Sequence, residues 1–458
     1  RRVQRQNPLA KIIVTGCYAQ RAPEEIAALP GVSAVIGNSH KHQLAEIAVG
    51  SVTRDSANPN DQAHDYDQEG HDFSRAVSAV FEPALAAEAN ERGTHQSFLP
   101  LHSLTENREQ RTENRIFVSD IFAHTELLAA PVFEASDPTE NARTRPNLKV
   151  QDGCDNRCSF CVIPSVRGHS RSLPLLQIIR EVNTLVAAGY REVVISGINL
   201  GRWGRDRGWG GRPRPPKRTM DPKSFEGLIR IILSETQLEK LRISSVEPMD
   251  WSDDLISLVA SSPRIAKHAH VPLQSGSDAV LRRMHRKYRP WHYREKIEKI
   301  RAAMPTAAIG ADVMAGFPGE TDAEFEATRR LIADLPFTYL HVFTYSARPG
   351  TPAAAMPNQI PIHVAREHNR ILRDLAAEKK SAFMQSFIGR SIEAITLNEA
   401  HSGPDGEFTE ALSDNYQKLY LKGRHTPNRW LTAQVEKIKD GAFVGSLTNS
   451  LALPEAIS

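Results

Sequence analysis

Three of the four cysteines in this 458-residue chain stand close together, as Cys154, Cys158 and Cys161. Their C-x3-C-x2-C spacing lets one short loop direct three thiolates at a single small object, and soft thiolates select zinc or an iron–sulfur cluster. Structural zinc requires four protein ligands, and the nearest fourth candidate, His169, does not give a usual finger spacing. The triad therefore favours an iron–sulfur cluster with one open iron, with structural zinc and unrelated buried thiols as alternatives.

A regular alternation of strands and helices surrounds this loop. The predicted strands are Leu148–Val150, Glu192–Ser196, Lys240–Ser244, His268–Val271, Ala308–Val313 and Tyr339–Phe343. Alternation of this kind implies parallel pairing. Six such repeats predict a full or partial α/β barrel, whose chemistry lies at the carboxyl ends of its strands. The cysteine loop directly follows the first strand, at that end.

Four further segments flank the predicted barrel, which we assign to residues 145–387. Residues 1–50 alternate strand, helix and strand and predict a partial amino-terminal α/β domain. Residues 51–114 hold few large apolar residues, which predicts a low-complexity, disordered insertion, and a linker follows over 115–144. Residues 388–452 form short alternating runs separated by Gly, Pro and Asn, which predicts a small antiparallel β-barrel.

Composition excludes several classes of protein. Hydrophobic residues make up 40% and charged residues 24% of the chain, as in ordinary globular domains. The formal net charge is only +3, so any nucleic-acid surface must be local. Four cysteines exclude a disulfide-built scaffold and favour a reducing compartment, the cytoplasm. No run of 18 apolar residues is present, which predicts no membrane span.

The cysteine triad after the first barrel strand resembles that of radical S-adenosylmethionine (SAM) enzymes. Within them, the chain is similar to the methylthiotransferases, in particular to the branch that thiomethylates threonylcarbamoyladenosine in tRNA. The similar segments cover most of residues 145–355 and are Leu148–Cys154, Arg167–Ser172, Ser196–Gly201, Ile243–Pro248, Pro272–Ser277, Ala311–Thr321 and Phe343–Thr351. The resemblance implies a radical SAM partial barrel with a truncated amino-terminal domain and a TRAM-like carboxy-terminal barrel.

The resemblance also implies a mechanism. A [4Fe–4S] cluster on the three cysteines chelates SAM at its open iron, and one electron from a donor such as a flavodoxin or ferredoxin splits SAM into a deoxyadenosyl radical. Residues at the ends of barrel strands are then expected to bind SAM; they are Gly197, Asn199, Ser245, Glu247, Gln274 and Gly316. Turn glycines and helix-capping polar residues are the alternative for each. The implied enzyme is a monomer that adds a methylthio group to C2 of N6-threonylcarbamoyladenosine 3′ to the anticodon.

The fourth cysteine, Cys17, resembles the third of three cysteines that hold an auxiliary [4Fe–4S] cluster in this family. The first two should lie upstream, and the sequence does not contain them. We expect an amino-terminally truncated chain, with loss of the auxiliary cluster as the alternative, since Cys17 alone cannot hold a cluster. Two alternative functions stay open: a ribosomal-protein methylthiotransferase, and an RNA-binding homologue unable to insert sulfur.

Two runs rich in basic and aromatic residues are expected near the catalytic face. Residues 202–218 carry seven basic residues against one acid, and a second run covers 282–294. Such runs neutralise phosphates and stack bases, and the alternative is a solvated charged face. The predicted RNA-contacting residues are Arg202, Arg205, Arg207, Arg212, Arg283, Arg286 and Lys287. The TRAM-like segment resembles an RNA-binding module, but it carries nine acids against seven bases from residue 389 onward, so a structural cap is its alternative.

Overall fold

The computed structural model describes residues 6–7, 10–53, 115–123, 144–206, 224–403 and 406–448. The chain forms two compact units, 1–120 and 121–458. Nearly all of the predicted disordered insertion, and most of the predicted linker, lie outside the described residues. Over the described ranges, no helix combines the length and apolar character needed to cross a bilayer.

The first unit contains a parallel three-stranded sheet in the order β1-β2-β3. Its elements are β1 (Ile12–Thr15), α1 (Cys17–Arg21), α2 (Pro23–Ala27), β2 (Val32–Ile36), α3 (Leu44–Thr53) and β3 (Arg115–Phe117). The β1-α2-β2 order agrees with the prediction. The linker interpretation of residues 115–144 is wrong at its start, because β3 pairs with β2 in parallel.

Six parallel strands build the second unit, neighbouring one another in chain order. They are β4 (Asn147–Asp152), β6 (Glu192–Gly197), β7 (Lys240–Ile243), β8 (His268–His270), β9 (Ala308–Ala315) and β10 (Tyr339–Thr344). A parallel bridge from Ser245 to His270 joins the sheet ending in β7 to the sheet beginning with β8. The short β5 (Arg171–Ser172) pairs antiparallel with the edge of β4. The α/β partial barrel predicted from the alternation is confirmed.

Helices cover the outside of these strands. They are α4 (Ile163–Arg167), α5 (Leu175–Ala187), α6 (Phe225–Glu235), α7 (Asp253–Ser261), α8 (Asp278–Arg283), α9 (Pro290–Ala303), α10 (Asp322–Asp334) and α11 (Ile362–Gln385). Ser224, Ser252 and Ser277 cap three of them, and Thr321 with Glu324 forms a capping box on α10. The apolar core lies between the helices and the strands, which leaves the inward strand faces free for polar side chains.

The carboxy-terminal strands close into a five-stranded barrel. They are β11 (Ser391–Gly403), β12 (Gly406–Ser413), β13 (Lys418–Lys422), β14 (Trp430–Lys439) and β15 (Ala442–Leu447), in the order β11-β12-β13-β15-β14. The barrel is confirmed, but its description as antiparallel is wrong at one seam. Since β14 lies between β11 and β15, closure brings β15 against β13, and those two strands run parallel.

The small barrel packs against the amino ends of the parallel strands. Asn415 Nδ2 donates to the Thr306 carbonyl just before β9, at 3.0 Å. Lys240, at the start of β7, forms an ion pair of 2.9 Å with Glu393. These contacts close the end of the α/β barrel that lies opposite the cysteine loop.

Candidate active site

The cysteine loop begins where β4 ends, and its first turn requires glycine. Gly153 has φ +70°, and a Cβ there would collide with the His169 carbonyl. Asp152 anchors the turn, because it accepts hydrogen bonds from Lys149 Nζ at 2.9 Å and Arg167 at 3.2 Å. The Cys154 N–H donates to the Gly168 carbonyl at 3.1 Å. The loop is therefore held in place by its own neighbours.

The three loop cysteines are partly buried free thiols. Burial raises the pKa of Cys154, and it raises the pKa of Cys161 to about 11. The three sulfurs do not all lie within 4.8 Å of one another, unlike two other groups of potential ligands in the described chain. Two ligands of one tetrahedral zinc at 2.3 Å would be about 3.8 Å apart. The wider triad fits a multi-iron cluster better than a zinc ion.

The position of Asn199 shows whether SAM, bound to a cluster through its amino acid group, fits beside the loop. Its side chain lies beside the loop, with Nδ2 3.7 Å from Cys154 Sγ, and its N–H donates to Gln151 Oε1 at 2.7 Å. Asn199 Oδ1 is buried and has no hydrogen-bond partner within the described chain. A buried acceptor of this kind needs a donor, and the ammonium group of SAM would supply one. Gly197 lies close to Gln151, so a side chain there would crowd this arrangement.

Arg286 lies under the cysteine loop, and the prediction that it contacts RNA is wrong because it is only 7% exposed. It donates to Cys158 Sγ at 3.3 Å and to the Tyr288 hydroxyl at 3.2 Å, and it forms an ion pair with Glu247. Burial raises the pKa of Glu247, and Arg286 opposes that rise. Glu247, predicted to bind SAM, is therefore next to the loop but engaged by an arginine.

The other predicted SAM residues have local structural roles. Gly316 has φ +75°, and a Cβ there would collide with Ala365 of α11, so helix packing accounts for this glycine. Gln274 also has a positive φ, 63°, and its N–H donates to the Asp312 carbonyl at 2.8 Å. Ser245 borders a cavity inside the barrel.

The first predicted RNA-contacting run is only partly described. Arg202 and Arg205 both form ion pairs with the buried Asp250, at 2.9 and 3.1 Å. Arg207 and Arg212 lie outside the described residues. One carboxylate thus faces two of the predicted arginines and offsets part of their charge.

The second run separates into paired and exposed residues. Arg283 is partly buried and forms two hydrogen bonds to the Glu324 carboxylate, at 3.0 and 2.7 Å. Lys287 is exposed. Its position leaves it accessible to a phosphate group, whereas Arg283 is committed to joining α8 to α10.

Cys17 lies in the first unit, at the beginning of α1. Asn38 Nδ2 is 3.5 Å from its sulfur. Because only one cysteine of the sequence lies outside the loop triad, these residues do not provide the three thiols of a second cluster. We therefore derive no step that depends on such a cluster.

A cavity of about 800 Å³ lies within the α/β barrel and is closed on one side by residues of the small barrel; it was not predicted from the sequence. Its walls combine apolar and polar groups, and the polar ones include Arg145, Arg242, His268, His270, His341 and Tyr416. The available signal was the alternation in His268-Ala269-His270 and Lys240-Leu241-Arg242-Ile243, which places polar side chains on one face of each strand. The carboxyl ends of the same strands lead toward the cysteine loop.

Two carboxylates behind the cavity wall pair with residues that line it. Glu192, fully buried, accepts from Arg242 Nε. Asp312 lies 3.4 Å from His270 Nε2 and 3.3 Å from His341 Nδ1. Burial opposes ionisation of Asp312, but its contacts with both histidines hold its pKa well below the usual range. The hydrogen bond with Asp312 raises the pKa of His341.

A parallel α/β barrel with three clustered cysteines after its first strand defines a class of enzyme, and the Radical SAM superfamily model matches residues 148–332. Enzymes of this superfamily use SAM with a [4Fe–4S] cluster, which the loop fits. The threonylcarbamoyladenosine tRNA methylthiotransferase MtaB of Bacillus subtilis (strain 168) is 31% identical over 92% of this chain and 77% of its own length. MtaB of Rickettsia prowazekii (strain Madrid E) is 33% identical over 87% of this chain and 76% of its length. The chain belongs to the methylthiotransferase family of radical SAM enzymes and is a transferase.

A second group of relatives aligns over a shorter part of the chain. The tRNA-2-methylthio-N(6)-dimethylallyladenosine synthase of Acidothermus cellulolyticus (strain ATCC 43068 / DSM 8971 / 11B) is 40% identical over 57% of this chain and 50% of its own length. Higher identity over a shorter alignment means that overall similarity does not by itself distinguish the two substrates.

Proposed function

We propose that this protein adds a methylthio group to C2 of N6-threonylcarbamoyladenosine 3′ to the anticodon of tRNA. The observation that carries the proposal is the set of hydrogen-bonding side chains in the barrel cavity, with Arg145, Arg242 and three histidines. A dimethylallyl group is apolar, and placing it against these groups would desolvate them without compensation. A threonylcarbamoyl group carries a carboxylate, a hydroxyl and amide groups that match them. The named relatives that act on this nucleoside also align over 87–92% of the chain.

The roles of the chain's own residues follow from the site. Cys154, Cys158 and Cys161 would hold a [4Fe–4S] cluster, which with SAM supplies one-electron cleavage to a carbon radical. Asn199 would accept a hydrogen bond from the SAM ammonium group. Arg286 stabilises negative charge at Cys158 and Glu247. The barrel walls exclude water and fix the base, which limits side reactions of a radical.

Nucleoside analysis tests the proposal. The chain is expressed in a bacterial strain that lacks its own methylthiotransferases, and digested tRNA is analysed by mass spectrometry. We expect the 2-methylthio derivative of threonylcarbamoyladenosine, and its absence with Cys158→Ala. A matched control, Ser165→Ala, changes an exposed residue near the loop whose hydroxyl donates to the Val162 carbonyl, and it should retain product.

Other products would contradict the proposal in distinct ways. A methylthio derivative of dimethylallyladenosine would assign the enzyme to the other tRNA branch. A thiomethylated ribosomal protein with unchanged tRNA would assign it to the ribosomal branch. SAM cleavage without any methylthio product would support an RNA-binding homologue that does not insert sulfur.

A further inference from the structure

Arg145 differs from the other charged groups of the cavity because its pairing is weak. It stands just before β4 and lines the cavity, with its side chain 22% exposed. Its ion pair with Glu192 measures 3.8 Å, which is beyond hydrogen-bond distance. A guanidinium presents five N–H donors in a planar fork. Arg145 therefore holds unused donors toward the cavity.

The neighbouring arginine explains why Arg145 is left in this state. Arg242 donates to the Glu192 carboxylate through Nε, and it also donates to the backbone carbonyls of Asp414 at 3.0 Å and Ser413 at 3.4 Å. It thereby joins β7 to the carboxy-terminal barrel. The buried Glu192 carboxylate faces two guanidinium groups, and the Asp414 carboxylate lies near Arg242. Arg145 is therefore the guanidinium with the more distant carboxylate, and an anionic ligand would pair with it.

The surroundings of Arg145 favour a flat ligand with an anionic end. Tyr416 from the small barrel lies 6.0 Å from the Arg145 guanidinium, and His268 stacks on Tyr339 with ring centres 5.9 Å apart. Arg145 and the cysteine loop lie at opposite ends of β4. Six strand residues separate them, about 20 Å at the rise of a parallel strand. A nucleoside bound between them would place its reacting carbon toward the loop and its substituent toward Arg145.

We propose that Arg145 binds the carboxylate of the threonylcarbamoyl substituent and so selects this nucleoside over one with an apolar substituent. This inference rests on the proposed function and adds to it the residue that recognises the substituent of the substrate. A bidentate pair between arginine and a carboxylate supplies geometry as well as charge. A site built around such a pair rejects analogues that leave its donors unpaired.

A binding experiment isolates the carboxylate. Anticodon stem-loops carry threonylcarbamoyladenosine, its neutral threoninamide analogue or dimethylallyladenosine, and their affinities for the cluster-loaded full chain are measured by fluorescence anisotropy. We expect the wild-type protein to bind the acid about 10- to 100-fold more tightly than the amide. With Arg145→Met that ratio should fall to about one, through weaker binding of the acid. Arg145→Lys keeps the charge without the fork and should give an intermediate ratio.

The control is Arg366→Met, which changes an exposed arginine on α11 and should keep the wild-type ratio. Thermal melting and cluster absorbance identify any variant that misfolds. If Arg145→Met misfolds, the affinity ratio of Arg145→Lys tests the proposal. If folded Arg145→Met or Arg145→Lys retains the full preference for the acid, the role of Arg145 is overturned while the proposed function stands. If the wild-type protein prefers dimethylallyladenosine, the proposed function itself fails.

Discussion

Arg286 links the cysteine loop to the buried polar groups beneath it. Its side chain is 6% exposed and faces the Cys158 sulfur and the Glu247 carboxylate, so both groups share one cation. Removing one member of a buried pair leaves the other charge uncompensated, which costs more than the pair itself contributes. The position of this arginine could not be predicted from its basic run, because its partners Glu247 and Cys158 lie 39 and 128 residues away.

A substitution at Arg286 should therefore destabilise the protein before any cofactor is considered. We expect Arg286→Met to lower the free energy of unfolding by on the order of 3 kcal/mol. The double variant with Glu247→Gln should recover most of this loss, because the carboxylate is then neutral. Urea denaturation of the metal-free proteins measures both. Equal losses in the single and double variants would exclude charge compensation as the role of Arg286.

Hydrogen bonds to cluster sulfurs also influence reduction potential. In the cluster-loaded protein, we expect Arg286→Met to shift the potential to a more negative value, since a donor to Cys158 is lost. Potentiometric titration followed by electron paramagnetic resonance measures the shift. Arg289→Met is the control, because Arg289 pairs with Asp278 and donates to backbone carbonyls. An unchanged potential would show that Arg286 contributes to folding stability and does not influence the cluster.

At the scale of elements, the six barrel strands were predictable and the contacts between elements were not. Apolar runs such as Val193–Ile195 identify a buried strand wherever it pairs. The turn after β9 is different, because its glycine, Gly316, is required by packing against α11. That helix lies about 50 residues further along the chain, outside any local sequence pattern. Gly316 reads as a cofactor-binding glycine in the sequence, and only the packed helix shows the collision that excludes a side chain there.

Two glycines with similar backbone angles allow the energetic cost of packing to be separated from the cost of backbone conformation. Gly316 and Gly350 have φ of +75° and +81°, but only Gly316 has a neighbour that a Cβ would strike. We expect Gly350→Ala to cost about 1 kcal/mol from its backbone conformation. Gly316→Ala should cost about 2 to 4 kcal/mol, because overpacking against α11 adds to the same term. Chemical denaturation compares them, and equal losses would contradict the packing argument.

Glu320, in the same turn, should make stability depend on pH. Its side chain is 1% exposed, burial raises its pKa to about 7, and it faces the Gly316 N–H and His368. The folded pKa of Glu320 lies above its unfolded value near 4.5, because the buried carboxyl is favoured in its protonated form. The contribution of the protonated carboxyl to stability is therefore complete below pH 4.5 and is lost as pH rises through 7. The loss amounts to at most about 3 kcal/mol.

The matching variant removes the titration but keeps a hydrogen-bond acceptor. Between about pH 5 and pH 8, the stability of Glu320→Gln should fall less than that of the wild-type protein. Urea denaturation at both pH values measures the difference. His368 lies 3.5 Å from the Glu320 carboxylate, so the difference between the two proteins includes any change in the titration of His368. The same pH dependence in both would show that Glu320 is already ionised when folded.

For the whole molecule, the net charge of +3 leaves RNA affinity to local groups. The sequence located two basic runs but could not separate exposed charges from paired ones, since ion pairs such as Arg202–Asp250 and Arg283–Glu324 bring together residues 48 and 41 positions apart. It also could not predict the cavity, whose walls come from five strands and the small barrel. Patterns local in sequence were predictable, and electrostatic partners were not.

Lys287 provides the test at this scale, because it is exposed beside residues that are buried or paired. Each phosphate neutralised by a lysine contributes about 0.7 to 0.9 to the slope of log affinity against log salt. We expect Lys287→Gln to weaken binding of modified and unmodified tRNA equally and to reduce that slope by this amount. Lys299→Gln on α9, where the lysine pairs with Glu295 and Asp253, should leave the slope unchanged. A loss that depended on the nucleoside modification would instead place Lys287 in substrate selection, the role assigned to Arg145.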